Sequence, residues 1–340
     1  MLNNNVLLPE YLCNKANLYK LYQIMALIRA FDKKAIALQR TGKMGTYAPV
    51  YGQEAIATAI GFCMQAEDVL VPYYRDYAAQ IQRGVELSEI LAFWGGDERG
   101  SQFINNTQDL PICVPIASQC LHAAGVAFAF KHRNEQRVAV VSLGDGGTSE
   151  GDFYEAINIA GVWKLPIVFI VNNNQWAISV PLSQQTACKT LAQKAIAAGF
   201  NGIQVDGNDI LACTSVIHDA ILQARAGEGP MLIEALSYRL SDHTTADDAT
   251  RYQPSADVAA AHSKEPLLRF RQYLEAQHAW TQELETELQA NIATQVQQEV
   301  DKYLSRPRQA IQSIFDYHYA TLPDYLIEQR ATAIEEVSHA

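Results

Sequence analysis

A doubly wound α/β fold on a parallel sheet is what this sequence predicts, and three observations predict it. Short β-branched apolar runs recur through the middle of the chain, at 138–143, 166–171, 203–205 and 230–236. Helix-length stretches separate them, the alternation that builds βαβ units and a parallel sheet. The first two runs end in small polar residues, Gly144-Asp145-Gly146-Gly147 and Asn172-Asn173-Asn174. Open parallel sheets bind ligands beyond such carboxyl ends.

The elements follow in order. Residues 18–39 place apolar side chains at i, i+3, i+4 and i+7, which predicts a long helix. The run Thr41 to Gly45 ends it, with Gly42 suited to the C′ position. A second helix, rich in Ala and Ile, spans 53–64. Residues 68–72 read as a short strand leading into Tyr73-Tyr74-Arg75-Asp76 at the start of another helix. Residues 87–94 are helical, and 97–113 are polar and irregular. Small residues such as Ala123, Gly125 and Ala127 suit the helix 118–132 to close packing. After the βαβ unit come a helix at 191–198, the strand 203–205 and a helix at 209–226. The segment Asp206-Gly207-Asn208-Asp209 reads as a turn and N-cap for that helix. Residues 241–256 are polar and aperiodic, with Pro254 near their end, a loop long enough to be functional or mobile. Residues 262–305 are charged and helical, with a capping-box-like segment from Thr281 to Glu285, and 307–335 form an amphipathic helical tail. The chain reads as one domain over 1–340: a core at about 45–260, a helical arm at 1–44 and a helical extension at 261–340. It shows no internal repeat and no low-complexity linker.

The chain has 340 residues, 49% of them hydrophobic, ample for a large core. A net charge of −11 with no basic stripe argues against a nucleic-acid partner. No apolar run approaches the roughly 20 residues that span a bilayer. The start MLNNNVLLPEYLCNK reads neither as a signal peptide nor as a transit peptide. The six cysteines show no CxxC and no regular framework, so they read as reduced, mostly buried thiols of a cytoplasmic protein.

Chemistry concentrates at the two polar strand ends. Asp145 offers a carboxylate and one of the three asparagines an amide oxygen. Hard oxygen donors of low total charge suit Mg²⁺, which keeps its other positions for phosphate and water. Glycine lets a bulky anion approach the backbone. The site reads as built for a magnesium diphosphate, and donor chemistry alone does not choose among Asn172, Asn173 and Asn174. Tyr74 and Arg75 add a phenol and a guanidinium fork suited to phosphate. An isolated GDG is an ordinary turn, but GDG followed 26 residues later by NN is much more specific.

That spacing, within GDGGTSEGDFYEAINIAGVWKLPIVFIVNNNQWAIS, resembles the E1 α subunits of 2-oxo acid dehydrogenase complexes. The resemblance covers roughly residues 18–325 and implies the thiamine-diphosphate-binding fold with N- and C-terminal helical extensions. It implies thiamine diphosphate and Mg²⁺ as cofactors. Side-chain metal ligands would be Asp145 and Asn174, with the Trp176 carbonyl as third ligand. The run of three Asn departs from the family pattern and keeps Asn173 open as an alternative. The resemblance also places Tyr74 and Arg75 on the diphosphate, together with Gly144, Gly146 and Gly147. It puts the backbone of Val114 and Ile116 against the aminopyrimidine ring. His243 would project into the channel leading to the cofactor, orient substrate or lipoyl group and move protons. Gln53 and Glu54 read as packing and polar rim, and His122 as a core or interface residue.

The family's chemistry needs a Glu beside the aminopyrimidine, supplied by a second α/β domain. Beyond residue 260 this chain reads as helices only, so a separate E1 β chain is expected, in an α₂β₂ heterotetramer. The lipoyl domain of an E2 protein is the expected acyl acceptor. YAPVYGQEA and TLAQKAIAAG look like bacterial heterotetrameric pyruvate enzymes, which makes pyruvate the first substrate. YYRDY echoes branched-chain 2-oxo acid enzymes, and acetoin dehydrogenase is a third option. A nucleotide-binding oxidoreductase would need G-x-G-x-x-G at a βα turn, which 144–151 lacks. A noncatalytic partner chain sits poorly with Arg75, Asp145, Asn174 and His243 all present.

Overall fold

The computed structural model describes residues 8–316 and 318–338. The reading of the N-terminal segment falls partly on residues 1–7, which lie outside the described residues. Five parallel strands form the central sheet: β1 Val69–Val71, β2 Ala139–Gly144, β3 Ile167–Asn173, β4 Asn201–Asp206 and β5 Met231–Leu236. Their spatial order is β1-β2-β3-β5-β4. Gly144 lies level with Asn172, and Asn173 with Leu236, so the polar ends of the central strands form one edge.

Alternation along each strand feeds two cores. Leu70, Val140, Val168, Ile170 and Ile233 face the helices Lys15–Arg40, Glu54–Cys63 and Ile210–Arg225. Val71, Val141, Leu143, Phe169 and Val171 face Ser118–His132 and Gly151–Trp163. Burial on both faces explains why β2 and β3 are continuous apolar runs rather than alternating ones. Chain direction decides which face each helix takes. The path β1 to β2 to β3 runs one way across the sheet, and the helices that lead directly into β2 and β3, Ser118–His132 and Gly151–Trp163, share a face. From β4 the chain turns back to β5, so a right-handed crossover puts Ile210–Arg225 on the opposite face.

Several boundaries differ from the sequence reading. The helix after β1 begins only at Tyr77, so Tyr73 to Arg75 occupy a turn. Asp76 holds that turn: its buried carboxyl accepts from the Tyr73 amide and from Ser142 Oγ, and burial pushes its pKa up to about 7. A small hairpin, Trp176–Ala177 with Val180–Pro181, and a short helix Leu182–Gln185 follow β3, and neither was expected. The segment 191–198 splits into a 3₁₀ turn and one α-helical turn. Residues 241–254 are irregular apart from a turn at Ala249–Arg251, but a helix starts at Ser255. The C-terminal region breaks at His278, and the tail forms two pieces, Ser313–Asp316 and Asp324–Ser338. Asp209 caps its helix as expected, accepting from the Leu211 and Ala212 amides. All six cysteines are free. Two are buried, two half-buried, and Cys13 and Cys188 are exposed, so burial is less general than expected. No helix among the described residues is long and apolar enough to cross a membrane.

Candidate functional site

A cavity of about 220 Å³ opens at the carboxyl ends of β1, β2 and β3. Tyr74 and Arg75 reach it from the turn after β1. Gly144, Asp145, Gly146 and Gly147 reach it from the turn after β2, and Asn174 and Trp176 from beyond β3. Val114 and Ile116, both half exposed, come from the irregular segment before Ser118–His132. His243 comes from the loop after β5. The fold thus gathers on one cavity every residue that the sequence nominated for the site.

The three asparagines separate sharply. Asn172 turns into the protein: its Nδ2 donates to Tyr73 Oη at 2.6 Å and to Gln53 Oε1 at 3.0 Å, and its Oδ1 accepts from Ser237 Oγ at 2.8 Å. Asn173 points to the other side and donates to Glu234 Oε1 at 2.7 Å. Asn174 alone of the three lines the cavity. Its Nδ2 donates to Gln53 Oε1 at 2.9 Å, and its Oδ1 accepts from the Trp176 amide at 3.1 Å. The alternative at Asn173 therefore has no geometric support.

Asp145 is buried, and its Oδ2 accepts from Gln185 Nε2 at 2.8 Å. Burial pushes its pKa above the ordinary value of 3.8. The neighbouring glycines serve space rather than handedness, since Gly144 has φ −78° and neither Gly146 nor Gly147 has positive φ. A Cβ at Gly144 would project into open space, whereas one at Gly146 would stand 2.7 Å from Ala177 Cβ.

Two buried guanidiniums belong to the site, Arg75 in the cavity lining and Arg239 behind Trp176 and His243. Arg75 is 3% exposed and forms no ion pair among the described residues. It donates from Nε to the Pro49 carbonyl at 2.9 Å and from Nη2 to the His243 carbonyl at 2.6 Å. Arg239, which the sequence reading did not nominate, is fully buried. It donates to the carbonyls of Trp176 at 3.3 Å and Ile178 at 2.8 Å, and to Tyr252 Oη at 2.6 Å. Tyr252 donates in turn to Asp247, whose Oδ2 also accepts from the His243 amide at 2.8 Å. His243 Nδ1 lies 3.5 Å from both Arg75 Nη2 and Arg239 Nη1. Burial, then the Arg75 and Arg239 charges, push its pKa down from 6.5 to about 3. The ring is neutral at pH 7. With cationic donors around Nδ1, the tautomer consistent with this network carries its proton on Nε2.

Three sequence readings need correction. Gln53 is 1% exposed, not part of a rim, and accepts from two asparagines. Glu54 is buried and paired with Arg29 at 2.5 Å. His122 is exposed on its helix, which removes the core alternative and leaves the interface one.

The donor set fits a hard dication carried by a polyanion. It comprises one carboxylate, one amide oxygen and one peptide carbonyl, with two buried guanidiniums nearby. No group of three or more His, Cys, Asp or Glu gathers among the described residues. A cation here would therefore draw its remaining ligands from phosphate or water.

Comparison with known proteins gives the family. The family described as "Dehydrogenase E1 component" matches residues 22–312. The 3-methyl-2-oxobutanoate dehydrogenase subunit alpha of Mycobacterium tuberculosis is 42% identical over 311 residues, covering 91% of this chain and 84% of that protein. The pyruvate dehydrogenase E1 component subunit alpha of Staphylococcus epidermidis is 41% identical over 327 residues, covering 96% of this chain and 88% of its own length. The Staphylococcus aureus protein of the same name is similar to the same extent.

Proposed function

The chain belongs to the dehydrogenase E1 component family, and from that premise we propose that it is the α subunit of a pyruvate dehydrogenase E1. It would bind thiamine diphosphate with Mg²⁺, decarboxylate pyruvate oxidatively and pass the acetyl group to the lipoyl arm of an E2 protein. It would do so only in an α₂β₂ assembly with a β subunit. One observation carries the reading: Arg75, Asp145, Asn174 and Trp176 line one cavity beyond the sheet's carboxyl edge.

Each residue has a part. Asp145, Asn174 and the Trp176 carbonyl hold the cation. Arg75 and Tyr74 hold the diphosphate, and the open side of Gly144 admits it next to the backbone. The backbone at Val114 and Ile116 meets the aminopyrimidine. When bound, thiamine diphosphate supplies the nucleophilic carbon and the electron sink that let CO₂ leave. His243 is neutral, so it acts through a hydrogen bond from Nε2 rather than as a cation. Besides Asp145, the cavity lining carries one carboxylate, Glu150, which stands exposed at its rim. The buried Glu that this chemistry needs beside the aminopyrimidine is assigned to the β chain.

A second reading has one specific support: the relative from M. tuberculosis is named for 3-methyl-2-oxobutanoate. Co-expression with a β chain, followed by decarboxylation assays on pyruvate and 3-methyl-2-oxobutanoate, tests both. Faster turnover of pyruvate supports the proposal, and faster turnover of the branched acid replaces its substrate. Robust turnover by this chain alone would overturn the shared site. Cofactor binding without turnover of either acid would overturn the dehydrogenase role.

A further inference from the structure

We infer that Gln53 is a positioning residue: it fixes the Asn174 side-chain amide so that the oxygen, not the nitrogen, faces the cation. The inference rests on the metal role proposed above for Asn174.

An asparagine amide has two ends of nearly equal size, and only one can ligate a cation. A half-turn about its last torsion would present an N–H₂ group to Mg²⁺, which repels it. Something must select the orientation, and at Asn174 two groups do. The Trp176 amide donates to Oδ1 at 3.1 Å, and Gln53 Oε1 accepts from Nδ2 at 2.9 Å. The Trp176 amide lies in the same short turn as its acceptor. Gln53 is 121 residues away, at the start of the helix Glu54–Cys63, and is anchored independently of that turn.

Gln53 is itself an amide and needs a fixed polarity. Its Oε1 accepts from Asn172 as well as Asn174, at 3.0 Å. Reversing it would set its own N–H₂ against two others. The chosen orientation still has a cost, because Gln53 Nε2 is buried without a hydrogen-bond partner. A buried unmet donor is expensive, and a packing role alone would be served better by an apolar side chain of the same shape. What a Met at this position would lack is the acceptor. Asn172 supplies Gln53's second donor.

The test uses the full chain purified with a co-expressed β partner. Thiamine diphosphate is present, and Mn²⁺ stands in for Mg²⁺ as a spin probe. Free Mn²⁺ is read by electron paramagnetic resonance, so no turnover is needed. Q53M removes the acceptor at nearly constant volume and should raise half-saturating Mn²⁺ about tenfold or more, the usual effect of losing a partner behind a ligand. Q53E keeps an acceptor and should stay within roughly threefold of the parent. The decisive background is N174D, in which both ends of residue 174 are oxygens and no orientation is needed. Adding Q53M to N174D should change Mn²⁺ binding less than about twofold. An equal loss from Q53M in both backgrounds would mean a packing role and overturn the inference. So would a loss in Q53E as large as in Q53M. N174A separates the two levels of argument. If N174A weakens Mn²⁺ binding and Q53M does not, only this inference fails. If N174A binds Mn²⁺ unchanged, the metal assignment fails and takes this inference with it.

Discussion

Asp145→Asn should make the cofactor-free protein more stable while removing its response to cofactor. Asp145 is 1% exposed; Gln185 Nε2 donates to its carboxyl at 2.8 Å, and backbone amides and the Arg239 charge also favour the carboxylate, but burial outweighs them. Desolvating a carboxylate costs several kcal/mol, and one charge-assisted hydrogen bond returns about 1.5–3 kcal/mol. Asparagine keeps the acceptor for Gln185 and removes the charge, so the cofactor-free variant should gain about 1–3 kcal/mol. At roughly 2–4 °C per kcal/mol, its melting temperature should rise by several degrees. The pH dependence has a definite sign. The folded pKa is raised by burial, so the protonated form stabilises the fold below pH 3.8, and that contribution is lost as pH rises through the raised value. The advantage of the variant should therefore be small in acid and grow toward neutrality. Ligand reverses the ranking. With thiamine diphosphate and Mg²⁺ at about 100 times the dissociation constant, the parent should gain about 2.7 kcal/mol, and the variant little. Melting curves of the stripped α/β complex, with and without ligand, measure both effects. A variant that melts lower than the parent without ligand, or that keeps the full ligand shift, would refute the reasoning.

Four further variants have definite expected outcomes. Gly144→Ala should melt within about 0.5 kcal/mol of the parent yet lose the cofactor-dependent shift, because its Cβ enters the cavity. Gly146→Ala should instead lose about 1–3 kcal/mol from the 2.7 Å approach to Ala177 Cβ; equal behaviour of the two variants in melting experiments would contradict this. Arg29→Met should cost about 3–5 kcal/mol in urea unfolding, since it strands the buried Glu54 carboxylate and also frees Glu265; a loss under 1 kcal/mol would deny the pair its structural role. His243→Gln should flatten the acid limb of stability. With a folded pKa near 3 against 6.5 unfolded, the unfolded chain takes a proton that the folded chain refuses, so parent stability falls as pH drops from about 6.5 toward 3. Urea midpoints against pH that run parallel in both proteins would show that His243 is not held neutral.

What the sequence made legible were features carried by local period and spacing. The strands β2 and β3 are buried on both faces, so they appear as unbroken apolar runs, and their polar ends mark the edge where the cavity forms. The helix Ser255–His262 was invisible because none of its residues is buried, which leaves no apolar stripe to detect. The hairpin at 176–181 has strands two residues long, below any periodicity. Gln53 and Arg239 were missed for a different reason. Gln53 meets Asn174 across 121 residues, and Arg239 meets Trp176 across 63, so tertiary folding alone gives them their roles. Arg239 left one faint signal: a lone cation three residues beyond the end of a strand already read as leading to a site.

Four buried residues of the site, two of them missed in the sequence, share a physical character that bears on how it works. Arg239 is a fully buried cation whose pKa burial pulls below the usual arginine value, with Arg75 adding to the effect. Arg75 is buried and donates to the backbone carbonyls of Pro49 and His243. Asp145 is a desolvated carboxylate, and Gln53 carries an unmet donor. Three of the four are charges, which a bound dication and polyanion would compensate. Compensation links binding to stability: whatever the cofactor-free fold bears in uncompensated charge returns as affinity when ligand arrives. It also explains the placement of Arg239. A guanidinium that donates to both the Trp176 carbonyl and Tyr252, which in turn holds Asp247 and the His243 amide, ties a proposed metal ligand to the loop carrying His243. A carbonyl oxygen has two lone pairs, so a cation at the Trp176 carbonyl would share that oxygen with Arg239, and through Arg239 it would be linked to the loop that carries His243.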